Sequence, residues 1–516
     1  MAKKYHSLDF PSKGGVSSKD EEIEHKLLDR ERKSLEAKAY RLKILGVKGK
    51  VALKDDATET HSPGYHREKE TDKFRKEGQK EEASSLRNAT FLQCVFNLSN
   101  ALMGVGILGL PFVFKAAGWI GGLFATLTFG AVTWRTSTLI GRELNGDPRP
   151  CHTFNDNPYT SPTVPGSSSM ARMRKPISSF PDIAREAFGD RGCICLSSVL
   201  YFELFSCLCI FLVAIGDHLH EIFPTLSVIQ HMSIAAIALT IPTALLHTPR
   251  LLSYLSAVGT VATISVVLSV VFCAFYAGDL TEQLEAADQG GVTSGDGHKR
   301  NRILWDSSGL PIAFGLIAYT FSGHAVFPSI YGSMARPQDY ERAVDATYAV
   351  VIPCCLLVAI SGYFMFGSFV EDEVTISLID NAGPSAQPAM VALTWLMILT
   401  CFSKFTLSMF PVAIGMEELL APFLPNEQAM EIAAPVIKLV FIGLALLVGI
   451  FVPSFGFICT LVGLVCTIVV SVILPAAAHL KLFGPVLPIW EKVLDWIFVI
   501  GGALIAVVGT FATLTM

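Results

Sequence analysis

The sequence predicts an all-α membrane protein that crosses the bilayer eleven times behind a charged N-terminal tail. Three observations carry that reading. Of 516 residues, 51% are hydrophobic and only 16% charged, a balance foreign to a soluble globular chain. About half of the 40 Lys and Arg residues lie before residue 88, so the charge is gathered at one end. The remainder is a series of apolar runs parted by polar loops, each near the roughly 20 residues a helix needs to cross about 30 Å of hydrocarbon.

Residues 1–88, rich in Lys and Glu and poor in aromatics, read as a cytosolic tail that is disordered or, over EEIEHKLLDRERKSLEAKAYRLKIL, partly helical. Residues 89–516 form the transmembrane domain, with spans expected near 90–114, 118–141, 193–216, 229–247, 252–277, 310–332, 345–370, 388–413, 432–452, 455–479 and 490–513. The 145–178 stretch is Pro/Ser/Thr-rich and reads as a flexible cytosolic loop. SFPDIAREAFG, which follows it, has the alternation of an interfacial helix, and 278–309 reads as a luminal loop. Lys and Arg are retained on the cytosolic side. Arg142, Arg149, Arg172, Arg185, Arg336, Arg342, Lys481 and Lys492 therefore place one set of loops there, with the N-terminus. Asp217, Glu221, Glu371, Asp372, Glu373 and Asp380 fall in the opposite loops. No basic-then-apolar leader precedes the first span, which is expected to direct insertion itself.

The net charge of −5 averages a charged tail with a nearly neutral membrane body, and nothing in it points to nucleic acid. The 12 cysteines fall mostly in apolar runs, where Cys193/Cys195 and Cys207/Cys209 would point in different directions on a helix. They read as small buried side chains rather than disulfides or metal ligands. Neither HExxH nor GxSxG occurs at a suitable place, so no catalytic residue is assigned and an enzyme is not expected.

The informative feature is SNALMGVGILGLPFVF, residues 99–114, where Gly104, Gly106, Gly109 and Pro111 interrupt an apolar run. Hydrocarbon offers no hydrogen-bond partner, so unwound backbone at that depth must be covered by protein or line a wet cavity. Unwinding near 104–110 would free peptide groups for the carboxylate and ammonium of an amino acid. The plainer reading is that the glycines only let helices pack closely. A second interruption, in AYTFSGHAVFPSIYGSM (318–334), sets Gly323 and Pro328 mid-span, with Ser322 and His324 beside them. Spans one and six are thus broken at corresponding places in two five-helix halves, the pattern of inverted repeats around a midplane site. The candidate substrate-binding residues are Asn100, Gly104, Val105, Gly106, Ile107, Gly109, Ser322, Gly323 and Phe327, with Phe205 and Tyr319 as aromatics for a side-chain pocket or for packing.

Three ionisable residues are candidates for proton coupling. Glu203 interrupts the apolar third span, where a charge needs a partner or a cavity; it either loads and releases a proton or serves as an interhelix hydrogen-bond donor. Lys404, in the eighth span, either snorkels to the interface or stands as a fixed cation beside the unwound first helix, in the place of a coupling ion. His324, with the ordinary imidazole pKa of about 6.5, either carries protons at the second break or bonds a freed carbonyl.

NLSNALMGVGILGLPFVFKAAGW and YTFSGHAVFPSIYGSM, with YFELFSCLCIFLVAIGDHL and KFTLSMFPVAIGMEELL, resemble the amino acid/auxin permease family, specifically its vacuolar amino-acid transporter branch. The resemblance spans roughly residues 89–516 and implies a leucine-transporter-like fold of eleven helices, a 5+5 inverted repeat with helices 1 and 6 broken. It also implies secondary active transport of amino acids coupled to protons, by antiport or symport, across a vacuolar or lysosomal membrane. The energy source would be the proton gradient, with no cofactor or metal. The break residues offer no charged partner for a charged substrate side chain, which favours neutral amino acids. Two other readings fit the same residues: an amino-acid sensor signalling to regulatory partners through its tail, and a plasma-membrane amino-acid/proton symporter.

Overall fold

Thr90 starts the first helix. Its hydroxyl accepts from the Gln93 N–H, and the Gln93 side chain accepts in return from the Thr90 N–H at 2.9 Å, a reciprocal cap for α1 (Phe91–Leu102). The helix then stops: Met103 takes φ −77°, ψ 72°, and Gly104 is extended at φ −83°, ψ −175°. A 3₁₀ stretch, Val105–Gly109, leads into α2 (Leu110–Asn145). Pro111 is the second residue of α2, where its missing N–H costs nothing. Gly118, at φ 78°, bends α2, and an added Cβ would lie 2.7 Å from the Ile303–Trp305 backbone. Trp119 and Ile120 donate their N–H groups to the Ile303 and Leu304 carbonyls there, at 3.1 and 2.9 Å.

The computed structural model describes residues 89–145, 177, 179–245, 249–277, 303–381, 387–420, 423–424, 427–452 and 455–515. The expectations for the 1–88 tail, and for most of the 145–178 and 278–309 loops, lie outside the described residues.

α3 (Phe180–Ile222) is bent at Gly189 (φ 74°), which sets off the segment expected at the interface. α4 (Val228–Leu245) and α5 (Pro249–Ala277) complete the first half. The second half repeats the interruption. α6 (Leu310–Thr320) ends, Gly323 takes φ −157°, ψ −12°, and one 3₁₀ turn (His324–Val326) leads to α7 (Phe327–Ser333), with Pro328 at its start. α8 (Tyr340–Phe366), the short α9 (Val374–Asp380), α10 (Gln387–Leu420) and α11 (Glu427–Phe451) follow. α12 (Phe455–Val462) passes through an 11-residue π-helix, Gly463–Ile473, into α13 (Leu474–Phe483), and α14 (Ile489–Thr515) ends the described chain.

The outer ends of the two broken segments are joined: Ala89 donates to the Ser333 carbonyl and Ala335 to the Ala89 carbonyl, both at 3.0 Å. Among the described residues nine helices are long and apolar enough to cross a membrane, and Val228–Thr243 is a shorter apolar helix. Ile241, Phe272, Ile497, Leu504 and Phe511 lie exposed around the outside, as a lipid-facing surface requires. The all-α expectation with two broken helices is thus what the fold shows. The π-helix lies outside that expectation.

Two charges assigned to loops lie inside the protein instead. Arg142 is 4% exposed because α2 continues to Asn145, which brings the guanidinium against Glu341 and Glu491. Glu373 is fully buried because α9 folds its segment back onto α3, within 3.7 Å of His218.

Candidate functional site

Where α1 stops, the Gly104 N–H turns to the Leu102 carbonyl at 2.8 Å, and Met103 N–H goes to Ser99. A continuous helix would have paired Gly104 N–H with the Asn100 carbonyl. That freed oxygen accepts instead from the Lys404 ammonium, which reaches it from α10. Lys404 is 4% exposed, so it does not snorkel to the interface. A Cβ on Gly104 would lie 3.7 Å from Nζ, an ordinary contact distance.

The second break is held by Glu203. Its Oε1 accepts from Ser322 Oγ and from Thr467 Oγ1, both at 2.7 Å, tying α3 to the interruption and to the π-helix. Among the described residues its Oε2 is buried with no hydrogen-bond partner, as are both ends of the Asn100 amide. Buried polar atoms are nearly always paired, since each one left alone costs about 1–3 kcal/mol. Three such atoms belong to two residues, Asn100 and Glu203, that also line one cavity.

The cavity lies between the two breaks, α3 and α10, and has about 60 Å³ of space. By the ~10–15 Å³ each requires, that is room for a few water molecules. Asn100, Gly104, Glu203, Ser322, Gly323 and Lys404 line it, with Tyr319 and Thr320. Its apolar wall comes from Leu204, Phe211, Val326 and Leu407.

The other expected residues lie elsewhere. Val105, Gly106, Ile107 and Gly109 are buried but off the cavity. Gly106 joins the breaks to each other: its carbonyl accepts from Thr320 Oγ1 at 2.9 Å, and an added Cβ would meet that oxygen at 2.9 Å. Phe327 stacks on His324, ring centres 5.0 Å apart, and Phe205 packs edge-on against Phe441. His324 points into α2, its Nε2 3.1 Å from Thr136 Oγ1 and Ser137 Oγ and 3.2 Å from the Thr133 carbonyl. Sequence reasoning missed Thr320, Cys207, Phe211, Leu407, Ser408 and Thr467. Cys207 and Phe211 follow Glu203 at four-residue steps, and Leu407 and Ser408 stand three and four residues after Lys404, so helical spacing would have found them. No such signal marks Thr467.

Two interrupted helices enclosing a largely apolar cavity with a few polar groups, inside a bundle faced with apolar side chains, define a multi-pass membrane carrier. The profile of the family described as "Transmembrane amino acid transporter protein" matches residues 87–151 and 166–515. The chain belongs to this family, and it is a transporter rather than an enzyme. Amino acid transporter AVT1C of Arabidopsis thaliana is 30% identical over 438 residues, 83% of this chain and 70% of that protein. Amino acid transporter AVT1B of the same plant is 29% identical over 436 residues, 83% of this chain and 71% of that protein. Among solved structures, the chain is similar to MHP1, a nucleobase-cation-symport-1 family transporter in a closed conformation: TM-score 0.48 and 12% identity, over 84% of this chain and 91% of that one.

Proposed function

We propose that this transporter moves neutral amino acids by alternating access at the cavity between its two breaks, coupled to protons, across a vacuolar or lysosomal membrane. The observation that carries the reading is Glu203. One of its oxygens is fixed by Ser322 and Thr467 while the other is buried with no hydrogen-bond partner among the described residues, so gain or loss of a proton there alters the grip on the second break.

Lys404 supports the same reading from the opposite wall. A tethered ammonium on the Asn100 carbonyl occupies the place where a freed helix end would draw a mobile cation, which leaves the proton as coupling ion. One acidic and one basic group cancel across the cavity and the remaining wall is largely apolar, which suits a zwitterion with an uncharged side chain. The topology of this reading has eleven crossings, with Gly118 dividing Val105–Asn145 into the end of the first and the whole of the second. The motif resemblance supports the acidic-organelle membrane and proton coupling across it, by antiport or symport.

The test is uptake of an amino-acid panel into proteoliposomes under an imposed pH difference without sodium. Neutral amino acids are expected to accumulate, and a protonophore to abolish the accumulation. Strict dependence on sodium would reject the proposal.

A further inference from the structure

α14 turns most of its surface outward, with only 11% of its most apolar stretch buried. Yet two of its carboxylates, Glu491 and Asp495, have no exposure at all. Four residues apart, they face one way, toward the end of α2. Arg135 Nη2 lies 3.4 Å and Arg142 Nη1 3.5 Å from Glu491 Oε2. Arg142 Nε also lies 3.6 Å from Glu341 of α8, whose side chain is half-exposed. Asp495 Oδ2 is 2.7 Å from Nδ1 of His479, a fully buried residue of α13. Glu143, next to Arg142, is 1% exposed and within electrostatic reach of Asp495 and Tyr340. Neither of its oxygens has a hydrogen-bond partner among the described residues.

Asp495 on α14 and Tyr340 on α8 lie within electrostatic reach of Glu143, and Arg135 and Arg142 on its own helix, Glu341 on α8, His479 on α13 and Glu491 on α14 are the other charged or titratable groups of this junction. Three buried carboxylates stand against two guanidinium groups. With half-exposed Glu341 left to solvent, one proton would balance these buried groups, and geometry says where it sits. Asp495 Oδ2 has His479 Nδ1 beside it at 2.7 Å, and Glu491 has two guanidinium groups within 3.5 Å. Glu143, with no donor near either oxygen, is the carboxylate least able to stay ionised.

We propose that the junction of α2, α13 and α14 is a second proton-binding site, separate from the cavity, and that Glu143 carries the proton. While it is bound the three helices pack as a neutral unit. Separation of α2 from α14 admits water and releases it.

The test is infrared difference spectroscopy of the full-length chain in lipid nanodiscs across a pH step, read at the C=O stretch of protonated carboxylic acids. It uses no substrate, so its outcome is independent of the transport reading. In an E203Q background, adding Glu143→Gln is expected to remove one acid band; an unchanged spectrum overturns the proposal. Should that variant not fold, Arg142→Met in the same background takes away a counter-charge and is expected to add an acid band, and an unaltered spectrum again overturns it.

Discussion

Lys404 on α10 donates its ammonium to the main-chain oxygen of Asn100 on α1, the carbonyl that the turn at Gly104 leaves without a helical N–H. The contact fixes the C-terminal end of the first half-helix against the scaffold. Lys404→Met removes the donor and strands a buried acceptor, at about 1–3 kcal/mol. Uptake is expected to fall about fivefold or more, on the rule that 1.4 kcal/mol is one decade. Uptake equal to wild type would detach Lys404 from the site.

His324 sits at the second break but faces away from the cavity, into Thr133, Thr136 and Ser137 of α2. His324→Ala removes that buried imidazole from its hydrogen bonds and is expected to lower thermal stability by about 1–3 kcal/mol. The shape of the pH–uptake profile should stay as it was. A displaced profile at unchanged stability would return His324 to the coupling machinery.

Gly463 opens the π-helix directly on Gly315 of α6; a Cβ there would stand 1.9 Å from the Gly315 carbonyl oxygen. Backbone rather than a flexible side chain lies in the way, so Gly463→Ala must push α6 from the π-helix, and overpacking of this kind costs about 1–3 kcal/mol or more. Gly443 on α11 has nothing within 4 Å of an added Cβ, and Gly443→Ala is the control, expected to be neutral or stabilising by about 0.5–1 kcal/mol. Thermal unfolding of the two variants in detergent separates these outcomes, and equal Tm values would refute the close approach.

Glu373, in the segment before α9, is buried beside Asp217 and Asp372; burial first, then those two acids, raise its pKa well above the usual carboxylate value. Cys401 and Cys459 also face it, and His218 Nε2 lies 3.7 Å away. The folded form therefore holds this proton more tightly than the unfolded chain. The contribution to stability is complete below the ordinary carboxylate pKa and is lost as pH rises through the folded value. Glu373→Gln should match wild type near pH 4 and exceed it increasingly toward pH 7, by about 1.4 kcal/mol per pH unit until the folded pKa is passed. Unfolding midpoints across that range measure the gap, and a constant difference would contradict the assignment.

Both interruptions were legible because Gly and Pro in an apolar run are local signals: Gly104 with Pro111, and Gly323 with Pro328, mark the ends and restarts of helices without any tertiary information. Glu203 was legible for the same reason, as a carboxylate with no business in hydrocarbon unless partnered. What it bonds to was not. Ser322 lies 119 residues away and Thr467 lies 264 away, in a segment whose π geometry no residue type announces. The charges at membrane ends misled in a different way. Arg142 and Glu373 count as loop charges in any tally by position, and only the packing of α14 against α2 and of α9 against α3 turns them inward. His324 shows the limit at the site itself, since sequence places it at the break but not on which side of the chain it projects.

The central claim is that Glu203 couples a proton to movement of the second break, and uptake by wild type and Glu203→Gln in sodium-free proteoliposomes tests it most directly. Under an imposed pH difference the wild type is expected to concentrate a neutral amino acid, while the variant only equilibrates or exchanges it. Concentration by the variant to the wild-type level would contradict the account.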